Sequence, residues 1–85
     1  MADVYFAITE EQLNMICDGL RRYFHKVHIG RRRTFSHNSN WYLQDENSCV
    51  GHDNEGEELW EYRFVGTETE VKWFRDSFPN LTYDY

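Results

Sequence analysis

Residues 59–66 run Leu-Trp-Glu-Tyr-Arg-Phe-Val-Gly. Trp60, Tyr62 and Phe64 fall on one side of an extended chain; Leu59, Glu61, Arg63 and Val65 fall on the other. A period of two in aromatic and β-branched residues is the signature of a strand. The ring side needs a cover, while the Glu61/Arg63 side stays at least partly wet. Gly66 stops the run, and a helix signal follows at once. The rest of the chain is organised around covering that one ring face.

Val4, Phe6 and Ile8 alternate with Tyr5 and Ala7, which predicts a first strand with its aliphatic face inward. Thr9-x-x-Gln12 fits a capping box, and Glu10 and Glu11 suit the positive end of a helix dipole. Leu13, Ile16, Cys17, Leu20, Phe24 and Val27 then recur at helical spacing as one apolar stripe. Arg21, Arg22 and Lys26 crowd its last turns, where cations favour the exposed carbonyls. Gly19 costs about 1 kcal/mol inside a helix, a cost that a close approach to the sheet would justify.

Val27-His28-Ile29 begins a second strand, expected to run on through Arg31 to Phe35. Residues 36–40 are a polar turn, and Trp41 to Gln44 a short strand. Residues 45–58 are rich in acids, Asn and Gly and are expected to form a long loop, with a short hairpin around Ser48-Cys49-Val50. Thr67-x-x-Glu70 is a second capping box, and Val71, Phe74 and Phe78 form its helix's apolar stripe, flanked by Trp73. Pro79 and Asn80 end that helix, and Leu81, Tyr83 and Tyr85 alternate as a final strand.

The order β-α-β-(β)-β-α-β predicts one α+β domain over residues 1–85. It would be a small antiparallel sheet of four to five strands with two helices on one face. The split βαβ, or ferredoxin-like, arrangement is the candidate topology. At 85 residues, roughly 60–65% of the unfolded surface can be buried, enough for one modest core. Three Trp, six Tyr and six Phe can fill it with few residues. No secretory signal is expected, since the first apolar run is short and has no basic residues before it. No apolar run approaches the ~20 residues that span a bilayer. Cys17 and Cys49 are expected to be free thiols in a reducing cytoplasm.

The net charge of −6 is unevenly spread. Residues 1–20 carry four acids and no base, residues 21–40 six bases and no acid, and residues 41–85 eleven acids and three bases. Such segregation makes a dipolar surface if each block stays together. The acids Asp45, Glu46, Asp53, Glu55, Glu57 and Glu58 are the first candidate binding set, engaging a partner protein with a basic surface. Rim charges set on-rate and specificity, so a ring, Trp41 or Tyr42, is needed to anchor affinity. The plainer reading is an acidic surface that keeps a small domain soluble. In size, acidity and aromatic density the chain resembles phage-encoded inhibitors, anti-CRISPR proteins among them. The likeness is one of class and covers no alignable segment. It implies a non-enzymatic viral inhibitor that imitates a nucleic-acid backbone and occupies a partner's basic groove.

The alternative is a nucleic-acid-binding module. Arg31, Arg32 and Arg33, with Phe35 and the nearby Trp41 and Tyr42, combine guanidinium groups with rings, as single-strand binders do. A ferredoxin-like sheet also carries the RNA-recognition motif, but residues 60–65 have no internal glycine and follow two acids, Glu57 and Glu58. The arginines read equally well as a charged strand edge that discourages unwanted pairing. A second alternative is a homo-oligomer in which the basic segment of one copy docks on the acidic segment of another. No metal or other cofactor is expected: Cys49-x-x-His52 is a single ligand pair, and Asp53 to Glu58 lacks the calcium-loop spacing. No nucleophile elbow, phosphate loop or HExxH motif points to an enzyme.

Overall fold

The computed structural model describes residues 1–84. Its elements in chain order are β1 (Ala2–Ile8), α1 (Glu10–Tyr23), β2 (Val27–Ile29) and β3 (Arg33–Ser36). They continue with β4 (Tyr42–His52), β5 (Glu58–Gly66), α2 (Glu68–Ser77) and β6 (Thr82–Tyr83). The strands form one antiparallel α+β sheet in the order β2-β3-β4-β5-β1-β6. Residues 59–66 do lie in a central strand, β5, between β4 and β1.

Strand register explains the single core. Val4, Phe6 and Ile8 of β1 stand opposite Phe64, Tyr62 and Trp60 of β5, and Leu43 of β4 stands opposite Phe64. All point to the same face, where Ile16 and Leu20 of α1 and Val71 and Phe74 of α2 meet them in one cluster. Both helices therefore cover the ring side of β5. No helix among the described residues is long and apolar enough to cross a membrane.

Both capping boxes are formed. The Thr9 hydroxyl accepts from the Gln12 amide at 3.2 Å and Gln12 Oε1 from the Thr9 amide at 3.0 Å. Thr67 and Glu70 repeat the exchange at 3.2 and 2.9 Å. Each box satisfies two amides that a helix start leaves without partners.

Four boundaries differ from the pattern of the sequence. The sheet has six strands rather than four or five. α1 stops at Tyr23 and Phe24 is an extended C-cap, so neither Phe24 nor Val27 continues the helical stripe, although both pack on the core; Val27 opens β2 as expected. Residues 27–35 are two strands joined by a tight turn, because the Gly30 amide donates to the Arg33 carbonyl at 3.0 Å. Residues 45–58 are a long hairpin instead of a loop: β4 pairs with β5 as far as His52 opposite Glu58. Register shifts between Asp45 and Cys49 and between Cys49 and Gly51 absorb extra residues, which breaks the strict alternation of a strand. The expected end of the last strand, Tyr85, lies outside the described residues.

Candidate functional site

The β4–β5 hairpin closes on a three-residue loop, Asn54 to Gly56. The Asp53 amide donates to the Glu57 carbonyl at 2.9 Å, and Gly56 takes a left-handed φ of 85°. Asp53 Oδ1 accepts from the amides of both Glu55 and Glu57 at 2.9 Å. The tip is thereby held in one shape with its carboxylates displayed. It lies over the start of α1, where Asp53, Glu55 and Glu57 share a hollow of about 370 Å³ with Glu10, Glu11 and Asn14.

A second hollow, of about 330 Å³, adjoins the first through Thr9 and Glu10. Trp60 and Tyr62 contribute rings to it, Ile8 and Leu13 aliphatic surface, and Asp45 a carboxylate. Asp45 is fixed there by accepting from the Asn47 amide at 2.7 Å. Burial first, then the charges of Asp45, Cys17 and Glu10, push the Tyr62 phenol up to about 12. Among the described residues, no lysine or arginine lines either hollow. Together they form one cleft, apolar and aromatic at one end and carboxylate-rich at the other.

Of the residues expected to contact a partner, Asp45, Asp53, Glu55 and Glu57 come together here. Glu58 is exposed on β5 opposite His52 and lines neither hollow. Glu46 is directed to Arg63, 3.3 Å from its Nε. Trp41 is only 1% exposed and stacks on Phe64 at 5.6 Å, so it belongs to the core and cannot anchor a partner. Tyr42 lies under the Arg33 guanidinium, 4.1 Å from its ring centre. The rings that reach the cleft are instead Trp60 and Tyr62, whose alternation marked them only as core. Glu10 and Glu11 are the other additions; in the sequence they serve the helix dipole.

The face of the sheet away from the helices is uncovered. Arg33, Gln44, Arg63 and Tyr5 form one row across β3, β4, β5 and β1. His28, Phe35, Tyr42, Val65 and Asp3 form the next. Its two halves differ in charge. On the β1–β5 side, Arg63 is paired with Glu46 and with Asp3 at 3.8 Å. Burial, then the carboxylates of Asp84 and Glu46, hold Glu61 above the usual carboxylate range. On the β2–β3 side, Arg31, Arg32 and Arg33 have no ion-pair partner among the described residues.

Cys17 is buried in α1 and Cys49 exposed on β4, and they are not bonded to each other. Among the described residues, no three His, Cys, Asp or Glu side chains converge to hold a metal ion. Comparison with protein families, with curated proteins and with solved structures finds no match for this chain.

Proposed function

We propose that the chain is a non-enzymatic, cytoplasmic protein-binding domain whose acidic cleft receives basic side chains of a partner. The observation that carries this reading is the pairing of Trp60 and Tyr62 with the carboxylates of Glu10, Glu11, Asp45, Asp53, Glu55 and Glu57 in one cation-free cleft. A lysine or arginine entering it gains from ring faces and carboxylates together. The surrounding negative field speeds the encounter and rejects acidic competitors. The likeness in size and composition to phage-encoded inhibitors suggests the partner's class. It would be a nucleic-acid-handling complex whose basic groove this surface occupies. Unpaired thiols suit a reducing compartment.

The same reading takes β4-β5-β1-β6 with α1 and α2 as a ferredoxin-like pair of split βαβ units, the β2–β3 hairpin being an insertion between α1 and β4. The strand order and the antiparallel pairing support it.

The test is capture of partners from the native host by the immobilised chain, with proteins identified by mass spectrometry. Glu11→Lys/Glu55→Lys/Glu57→Lys should abolish capture of a basic partner, and Trp60→Leu should weaken it. Capture that survives the triple charge reversal would end this reading.

A further inference from the structure

We propose that the β2–β3–β4 part of the uncovered sheet face binds single-stranded nucleic acid. This surface is separate from the acidic cleft. Three rings stand in register on three neighbouring strands: His28 opposite Phe35, and Phe35 opposite Tyr42. Phe35 lies 5.1 Å from His28 and 5.3 Å from His37 between ring centres. Neighbouring strands are about 4.8 Å apart, so the row offers closely spaced ring surfaces to a ligand lying across the sheet.

The cations are placed to complement the rings. Arg33 shares the face with Phe35, spans Tyr42 and is steadied by donating from Nε to Gln44 Oε1 at 3.0 Å. A guanidinium over a ring adds its own planar surface and stays charged. Arg31 and Arg32 are exposed in the turn beside it. That turn is tied at both ends, since Gly30 donates to the Arg33 carbonyl and Asp45 to the Arg32 carbonyl at 2.8 Å. Three consecutive arginines without a counter-ion among the described residues contrast with Arg63, which two carboxylates neutralise.

The ligand that uses both features has planar faces and a regular negative backbone. An acidic peptide supplies charge without planar faces. A duplex hides its base faces in the stack, whereas a single strand can lay them on Phe35, His28 and the Arg33–Tyr42 pair. The carboxylates of Asp3, Glu46, Glu61 and Asp84 repel phosphate from the far half of the face, so only a short stretch is held.

The test is fluorescence anisotropy with labelled oligouridylate and oligothymidylate at low and then rising salt. The two arms separate RNA from DNA as the preferred strand, and labelled polyglutamate is the control. Saturable binding of an oligonucleotide at low salt, weakening as salt rises, is expected. Arg31→Ser/Arg32→Ser should flatten the log–log salt slope by about 1.4, from about 0.7 per lost phosphate contact. Phe35→Leu should lower affinity about 5- to 150-fold with the slope unchanged. His28→Ala, at an exposed edge position, gives a second reading of stacking if Phe35→Leu melts early. No binding at low salt, equal binding of polyglutamate, or indifference to both ring substitutions would each overturn the assignment. Glu55→Lys/Glu57→Lys should not weaken oligonucleotide binding, so failure here and failure of the acidic cleft remain distinguishable.

Discussion

Phe64 of β5 and Phe74 of α2 stack with ring centres 4.2 Å apart and planes 17° apart. Neither is exposed to solvent. Phe6 approaches Phe74 at 5.2 Å and Trp41 approaches Phe64 at 5.6 Å, so four elements or their flanks meet at this stack. Phe74→Ala would remove a fully buried ring and leave a cavity that rigid neighbours cannot close. The expected cost is about 3–5 kcal/mol, against about 5–15 kcal/mol for a whole domain. Phe74→Leu keeps most of the volume and should cost clearly less. Urea denaturation measures both. A Phe74→Ala loss below about 1 kcal/mol would mean that α2 is not docked through this ring.

The two capping boxes look equivalent in sequence but are not in the fold. Thr9→Ala and Thr67→Ala should each cost about 1 kcal/mol, the usual worth of a cap. Glu70 has a further task, because its Oε2 also accepts from the Asn40 amide at 3.4 Å. A Cβ on Gly66 would come within 2.9 Å of Glu70 Oε1 and 3.2 Å of Trp41 Cβ. Glu70→Ala should therefore destabilise more than Gln12→Ala, and Gly66→Ala should disturb the second box from its other side. Thermal melting of the five variants reads the ranking. Equal shifts for Glu70→Ala and Gln12→Ala would show that the link to Asn40 contributes nothing.

The elements most legible in the sequence are those in which local pattern and burial agree. β1, β5, both helix starts and the apolar stripes are of this kind. Residues 45–58 were not legible as a hairpin, because bulged strands lose their alternation and the exposed face is polar. A glycine inside α1 leaves open whether anything approaches it; the neighbour is Phe78 and not the sheet, with its ring 2.9 Å from where a Cβ on Gly19 would lie. The acidic cleft was half legible. Its carboxylates on the hairpin are conspicuous in sequence, but Trp60 and Tyr62 alternate like core residues. Nothing in the sequence says that the sheet's end is left open beside α1. Trp41 is no anchor, because its nearness to the acids in sequence does not show that it is buried against Phe64.

Glu61 gives a prediction about pH. Burial first, then Asp84 and Glu46, raise its pKa above the 4.5 of a free glutamate. The folded chain therefore binds this proton more tightly than the unfolded chain. Stability falls as pH rises through the window that opens at the unfolded value and closes at the raised folded value. At neutral pH the charged Glu61 opposes folding, and Glu61→Gln should raise Tm by about 1–2 °C, a small effect because the site is partly solvated. The gain should vanish as pH drops below the carboxylate range, where wild type is itself protonated. Melting curves at neutral and acidic pH test this. A gain that persists unchanged in acid would assign it to packing instead of charge.

Tyr62 connects the cleft to a direct measurement. Its phenol and that of Tyr83 are both pushed up to about 12, chiefly by burial, and Tyr83 Oη also donates to the Phe78 carbonyl at 2.6 Å. In the unfolded chain both ionise near 10, so stability is lost as pH rises from about 10 to about 12. In the folded chain, alkaline titration followed by tyrosinate absorbance should show one late phenol that is lost in Tyr62→Phe and another that is lost in Tyr83→Phe. Asp45→Asn removes a carboxylate from the wall that Tyr62 shares and should bring one late phenol down. It should remain above 10, because burial is the larger cause. A cationic ligand seated in the cleft should lower the same phenol further by favouring its ionised form. Arginine amide is a suitable probe, with Tyr83 as the internal control. If Tyr62 and Tyr83 respond alike to Asp45→Asn or to the probe, the Asp45 carboxylate does not act on the Tyr62 ring and the cleft does not hold the cation beside it.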